Sequence, residues 1–471
     1  MNSCDVLFVH GIVVTMDDGR RILEDGAVAV SGNRIVAVDE TAKLEHWQAA
    51  RRVDCRGQAI IPGLIDCHNH LFQAAGRGLG DGMALWQWLG EFMLPLAANI
   101  SPHEALTAVR LGALEALSCG TTTIIDNHYA PADVDTTLAV AAALRDIGLR
   151  GVVARGMFGP FTDVARDNGL SPALFQHSTV DEIAAMRACM EQWQDERISI
   201  WPAPINVIYN DQELVRQSVA LAGEYGVKWH THCSEAAIDP TIYQQAYGLR
   251  PFTWMERNGL LDQHATFAHA IWLDDEEVEI VARRRCGIAH NPMSNEYLAS
   301  GAMRLGLLNE AGASIGIGAD GAAGHSFDMF QIMKQVIYVQ RLATLDPVAT
   351  NAWDAFALAT RGGAQIAGVD AGQLAVGKLA DVVVVSLARP ALAPCFDIIA
   401  SLVYAGSGRD VSLTMVDGKI VYENGQLATA DGEEIMAEAR TACRQLVTRL
   451  QIPVRGSGGA SYPLPENGVN P

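Results

Sequence analysis

Nowhere in the 471 residues does an apolar run approach the ~20 needed to cross a bilayer, so no membrane-spanning helix is expected. Basic residues are scarce: 34 Lys+Arg stand against 54 Asp+Glu, a formal net charge of −20, and no basic run occurs. A surface this acidic repels phosphate backbones, which argues against nucleic acid and leaves small neutral or cationic molecules as partners. There is no CxxC pair either. The nine cysteines (Cys4, Cys55, Cys67, Cys119, Cys189, Cys233, Cys286, Cys395, Cys443) are odd in number and scattered, as expected of reduced thiols in a cytoplasmic protein. The opening MNSCDVLFVHG lacks a basic segment followed by an apolar core, so no secretory signal is expected there. Apolar material is plentiful: 49% of residues are hydrophobic and 19% charged, enough for a large core.

The first 60 residues read as short β-branched strands punctuated by turns, as in VLFVHGIVVTM and GAVAVSGNRIVAVD. A matching strand-rich stretch returns over 376–430, in LADVVVVSLARP and VSLTMVDGKIVYENGQ. Two such flanks predict one small β-sandwich domain assembled from both termini. Residues 431–471 then give a helix, DGEEIMAEARTACRQLVTRLQ, with acids at its start and Arg at its end. A Gly/Pro/Ser-rich tail from Pro453 follows, expected to be mobile or laid on a neighbouring chain. Between the flanks, 61–375 alternates short apolar runs with helical stretches such as SPHEALTAVRLGALEALSCG. Eight runs can be counted: AIIPGLIDCHNH, TTTIIDNHY, RGVVARGMF, ISIWPAPINV, VKWHTHCSE, ATFAHAIW, CGIAHNPMS and ASIGIGAD. Strands alternating with helices predict an α/β fold with a parallel sheet, here a (β/α)8 TIM barrel. Five of the runs end in His, Asp or Glu, where the C-terminal strand ends of such a barrel form an active-site mouth.

The first run ends His68-Asn69-His70, and residues two apart on a strand face the same side, so both imidazoles can share one metal ion. In WHTHCSE the same alternation puts His230 and His232 on one face; His232, nearer the strand end, is the better ligand, and His230 sits deeper as a packing or hydrogen-bonding residue. Glu235 falls where this strand opens into its loop, placed either to shuttle protons or as an acid at a helix start. Asp320 closes the strongly apolar SIGIGAD and is costly to bury without a cation, so it reads as a carboxylate ligand and base. His269, ending FAHA, either binds the metal or hydrogen-bonds water and substrate. Three imidazoles and a carboxylate suit Zn(II), with Fe(II) the alternative. The fourth run has no lysine at its end to bridge two ions, so one metal per subunit is expected.

This ordered set, with PGLIDCHNH, SCGTTTIID, HTHCSE, FAHA, HNPMSNEYLASG, GIGADGAA and GKLADVVVV, resembles the amidohydrolase superfamily over nearly the whole chain. The branch resembled holds cytosine, guanine and S-adenosylhomocysteine deaminases and the triazine hydrolases; RISIWPAPINV and MSNEYLASGAM are closest in texture to the triazine enzymes and melamine deaminase. The resemblance implies that His68, His70, His232 and Asp320 hold the metal, that Glu235 moves a proton to the leaving group, and that His269 lies beside the metal. It implies a homodimer or higher homo-oligomer, and a small-molecule substrate touched by Gln73 and Trp88 on the first loop; for Trp88 and its neighbour Trp86, core packing is the competing reading. His128 and His325 are extra imidazoles at the mouth, substrate contacts or solvated loop residues, and Asn295 braces its loop or reaches the substrate. Dechlorinating triazine hydrolases carry serine where this chain has Gly324, which favours loss of ammonia or an amine over halide displacement. The implied activity is hydrolytic deamination of an N-heterocycle of triazine, purine or pyrimidine type. The competing readings are hydrolysis of an amide, urea or thiocarbamate C–N bond, triazine dechlorination, and a non-catalytic binder with a structural metal.

Overall fold

A computed structural model describes residues 2–321 and 324–452. The tail from Pro453 lies outside the described residues. All eight apolar runs form parallel strands: β1 (Leu64–His70), β2 (Thr121–Asp126), β3 (Arg150–Met157), β4 (Ile198–Pro204), β5 (Trp229–Cys233), β6 (Ala265–His269), β7 (Gly287–His290) and β8 (Ser314–Ile317). They are almost continuously buried, which is why their sequences read as apolar runs rather than as alternations.

Hydrogen bonding orders β1 to β4 in one parallel sheet and β5 to β8 in another. The sheets meet at a parallel bridge between Asn206 and His232, where the His232 amide donates to the Ile205 carbonyl at 3.2 Å. At the opposite margin the chain beyond β8 pairs with β1, setting Asp320 across from Asn69. Asp320 therefore lies directly beside the His68-Asn69-His70 strand.

One expected strand is two. AIIPGLIDCHNH divides at Gly63: Gln58–Pro62 leaves for a different sheet and only Leu64–His70 is β1. A side chain at Gly63 would collide with Thr122, so the chain can turn here only without a Cβ. Gln58–Pro62 pairs antiparallel with Val382–Ser386, Ile60 opposite Val384, and this ladder joins N-terminal to C-terminal segments. Among the described residues, nine strands drawn from both flanks form a single sheet. One buried apolar cluster runs through it from Phe8 and Val28 by way of Ile60 and Val384 to Leu413 and Met415.

A buried ion pair ties this sheet to the parallel strands. Arg150, the first residue of β3, donates through Nε to Asp381 at 3.0 Å and through Nη2 to Asp417 at 2.7 Å. Asp381 also accepts the Asp417 amide at 2.7 Å. The C-terminal helix α2 (Gly432–Arg449), begun by the N-cap Asp431, docks on α1 (Pro102–Ser118). There Arg449 in its last turn pairs with Glu104 of the capping box of α1 at 2.7 Å.

Replacing Arg150 leaves the buried Asp381 carboxylate, and the partly exposed Asp417 beside it, without their counter-ion. Arg150→Ala is expected to lower unfolding free energy by about 3–5 kcal/mol, measured by denaturant titration. A loss under about 1 kcal/mol, the level of an exposed pair, would contradict the clamp.

Candidate metal centre and active site

His68, His70, His232 and Asp320 converge at the C-terminal strand ends, with one ligand atom of each within 4.8 Å of the others and all four residues buried. The Asp320 Oδ1 lies 3.3 Å from Nε2 of both His68 and His70. Period-two geometry explains the first two: His68 and His70 alternate on β1, so both rings reach the same side.

Where each imidazole spends its proton decides what the centre can hold. The Nδ1–H of His70 donates to the Asn127 carbonyl at 2.7 Å, and that of His232 to the Ile205 carbonyl at 2.6 Å. Their Nε2 atoms face each other at 3.2 Å with no proton left to place between them. For His68 the same conclusion comes through a relay. The Thr266 hydroxyl donates to the Trp229 carbonyl at 2.7 Å, so it accepts from His230 Nδ1–H at 2.9 Å. The His230 Nε2 is then an acceptor, and His68 Nδ1–H donates to it at 2.8 Å. The His68 Nε2 is buried without a hydrogen-bond partner. Three lone pairs and a carboxylate oxygen thus point at one volume, an arrangement that fits a divalent cation and no hydrogen-bond scheme.

The electrostatics agree. Burial, reinforced by the neighbouring imidazoles, pushes His70 down to about 3 and His232 well below its ordinary value, which keeps both rings neutral. Burial alone would raise Asp320, but His68, His269 and His70 hold its carboxyl well below the usual range. Glu235 goes the other way: burial first, then the Asp320 and Asp239 carboxylates, push it well above an ordinary carboxyl. His269 stands between them, its Nε2 3.4 Å from Glu235 and 3.5 Å from Asp320. Its Nδ1 bonds Asn295 Oδ1 at 2.9 Å. Burial lowers its pKa to about 4.

The backbone at these positions is strained. Asp320, His269 and Ser234 have φ of 60°, 72° and 51°, a left-handed region that costs a non-glycine residue about 1–2 kcal/mol. Asp66, two residues before His68, helps hold the first. Its carboxylate accepts the amides of His68 at 3.2 Å and Ala319 at 3.0 Å, bracketing β1 to the chain just before Asp320.

A cavity sits over the cluster. Its walls include Gln73, Trp88, Glu235, His269, Asp320 and His325. Gln73 donates through Nε2 to the Tyr129 hydroxyl at 2.9 Å. Trp86 is not on the wall; its indole N–H donates to Asp239 Oδ1 at 3.0 Å behind it. His128 is fully buried, bonded through Nε2 to the Pro131 carbonyl at 2.9 Å, and does not line the cavity. Asn295 is likewise off the wall, behind His269. Glu235 does not cap a helix. The next helix begins at Asp239, whose carboxylate accepts the Ala236 amide at 2.8 Å. Sequence reading missed Tyr129, Asn206, Tyr209, Ser294 and Tyr297, which complete the walls. Only Tyr129 stood near a visible signal, directly after Asp126-Asn127-His128 at the end of β2.

Residues 59–421 match the amidohydrolase family. A 5-methylthioadenosine/S-adenosylhomocysteine deaminase of Pelotomaculum thermopropionicum is 32% identical over 451 residues, 94% of this chain and 99% of that protein. A 5'-deoxyadenosine deaminase of Methanothermobacter thermautotrophicus is also 32% identical, over 89% of this chain and 95% of its own. Among solved structures, an adenosine deaminase of Xanthomonas campestris with bound zinc superimposes with a TM-score of 0.88 at 28% identity, covering 95% of this chain and 99% of that one. The zinc complex of atrazine chlorohydrolase from Arthrobacter aurescens gives 0.85 at 26% identity, covering 93% and 100%. The triazine texture expected from short segments thus accompanies a similarity to adenosine-type deaminases that extends along the chain.

The relay makes His230 a positioning residue for His68. His230→Phe is expected to weaken zinc binding about 10–100-fold, read by competition with a chromophoric chelator. His230→Gln, whose amide can accept from His68 and donate to Thr266, is expected to restore most of it. Equal affinity in His230→Phe and the native protein would contradict the relay.

Proposed function

The chain belongs to the amidohydrolase family, and from that premise we propose that it is a metal-dependent hydrolytic deaminase that removes an exocyclic amino or alkylamino group from an N-heterocycle. The observation that carries this reading is the position of Glu235. It is a buried carboxyl on the cavity wall, its pKa pushed up by burial, 3.4 Å from His269 and beside the His/Asp cluster. A closed structural metal site has no use for such an acid. The deaminases among the relatives, and the zinc bound in two structural neighbours, point the same way.

His68, His70, His232 and Asp320 would hold one divalent ion, with Zn(II) favoured by the ligand types and by those neighbours. Such an ion lowers the pKa of water to near neutrality. Asp320, kept ionised by the imidazoles around it, takes the proton that the attacking water loses. Glu235 delivers its proton to the ring nitrogen next to the carbon under attack, takes back the proton of the hydroxyl now bonded to that carbon, and passes it to the departing amine. His269, whose Nδ1–H is committed to the Asn295 amide oxygen, presents its Nε2 lone pair toward Glu235 and stabilises the charge that builds on the adduct once that nitrogen has taken a proton. Gln73, Trp88 and His325, on the cavity wall, orient the heterocycle; His128 acts from behind the wall by supporting the loop after β2.

For the frame we propose that β1 to β8 are a (β/α)8 barrel of residues 61–375, the two parallel sheets being its two arcs. The terminal sheet is a small composite β-sandwich of 1–60 and 376–430, and 431–471 forms the closing helix and tail. We place the protein in the cytoplasm, as its nine unpaired cysteines suggest, and as a homodimer or higher oligomer, as the family resemblance implies.

Glu235→Gln separates this reading from a structural metal site. The variant is expected to keep its metal stoichiometry and to lose about 10²–10⁴-fold in turnover, followed by ammonia or amine release from aminated purines, pyrimidines and triazines. Product masses should show the amino group exchanged for oxygen with the ring intact; chain cleavage, or undiminished turnover in Glu235→Gln, would contradict it.

A further inference from the structure

Two polar side chains that stand outside the cavity meet behind it. Asp239 is buried and opens the helix Asp239–Tyr247, yet it does not cap that helix, whose N-cap is Ile238. Its carboxylate turns back toward Glu235 instead: Oδ2 accepts the Ala236 amide at 2.8 Å, and Oδ1 accepts the Trp86 indole N–H at 3.0 Å. Trp86 belongs to the single helical turn Leu85–Trp88, whose Leu85 and Trp88 line the cavity. One carboxylate therefore ties the apolar wall to the wall that bears Glu235, while neither Trp86 nor Asp239 reaches the cavity.

Both sides of this tie need it. The Glu235 carboxyl stands 3.4 Å from His269 Nε2, longer than a hydrogen bond, so the main chain decides where it points. Ser234 just before it is left-handed at φ 51°, with its carbonyl taken by the amides of Ile271 and Trp272 at 3.0 and 3.1 Å. Strained backbone keeps its place only while its surroundings restrain it. On the other side of Glu235 the restraint is the Asp239 carboxylate on the Ala236 amide. The apolar wall is held unevenly. It is anchored beyond Trp88 by the buried Phe92 and Met93, but the chain enters it through Gly78, Gly80 and Gly82, all left-handed, which restrain it little. A carboxylate suits the junction because its two oxygens accept from both sides at once, whereas an amide would turn its NH2 onto one of the donors.

We infer that Trp86 and Asp239 are a positioning pair for the proton-transferring carboxyl: the hydrogen bond between them sets where Glu235 stands relative to a heterocycle held against Leu85 and Trp88. This rests on the deaminase reading. The pair touches no substrate and acts through the Ser234–Ala236 backbone.

Kinetics and crystals of the zinc-loaded protein test this together, on Trp86→Phe, which keeps a ring and removes the N–H, on Asp239→Ala, and on the double variant. The probe is 5-methylthioadenosine, a compound in one relative's name. Its kcat is expected to fall about 10-fold in Trp86→Phe and about 100-fold in Asp239→Ala, with KM within about threefold of native, because neither residue lines the cavity. The double variant is expected to match Asp239→Ala, since Trp86 acts on Glu235 only through that carboxylate. In crystals of either single variant the Glu235 carboxyl is expected to leave its place beside His269 by about 1 Å. A kcat preserved in both single variants, with or without a rise in KM, would overturn the pair. So would a Trp86→Phe loss that persists in full on the Asp239→Ala background. If Asp239→Ala does not fold, kcat and the Glu235 position in Trp86→Phe decide alone. If the native protein releases no ammonia from this probe or from other aminated purines, pyrimidines and triazines, the deaminase reading fails. The crystals then judge the pair by themselves, and a Glu235 left in place overturns it.

Discussion

His70 and His232 face each other through ring nitrogens 3.2 Å apart, after each has given its only proton to a main-chain carbonyl. Two lone pairs at that distance repel, and the His68 lone pair, fixed by the His230–Thr266 relay, enters the same volume. A cation turns this from a cost into a ligand set, and most of the surrounding geometry serves to hold the rings in those tautomers. The carbonyls used are those of Asn127, just past β2, and Ile205, just past β4, so strand ends that contribute no ligand still orient one. Asp320 would supply the negative charge that balances such an ion; the imidazoles around it hold its carboxyl low, whereas burial first, and the Asp320 charge second, push Glu235 up.

Such a centre needs a rigid frame, because left-handed backbone at Asp320, His269 and Ser234 would relax if the surroundings allowed it. The Asp66 bracket between β1 and the segment before Asp320 restrains one of these points. At the other end of the strands, Arg150 at the start of β3 locks the parallel sheets to the terminal sheet through Asp381 and Asp417. Neither flank contributes a residue to the described cavity lining.

The sequence made the ligand cluster legible because strand alternation is strictly period two. His68 with His70, and the choice of His232 over His230, needed only that rule and the position of the strand ends. Asp320 was legible from the cost of leaving a carboxylate bare after an apolar run. Loop geometry was not legible. His128 and His325 look alike in sequence, yet one imidazole turns inward to the Pro131 carbonyl and the other onto the cavity wall. Trp86 and Trp88 are separated in the same way, Trp86 being turned to Asp239. The break at Gly63 was hidden because Gln58–Pro62 and Leu64–His70 are both apolar, and only the pairing partners show that they serve different sheets. The tyrosines on the wall carry no pattern of their own; they become visible when the strand ends that bear them are brought together.

The central claim is that one divalent ion is held by His68, His70, His232 and Asp320. Anomalous scattering from crystals of the zinc-loaded protein, collected on both sides of the zinc edge, tests it most directly. The account predicts one zinc peak per chain, about 2.0–2.2 Å from three Nε2 atoms and one Asp320 oxygen, with Glu235 outside the coordination shell. A second ion, a peak coordinated by Glu235, or no zinc among these four residues would contradict it.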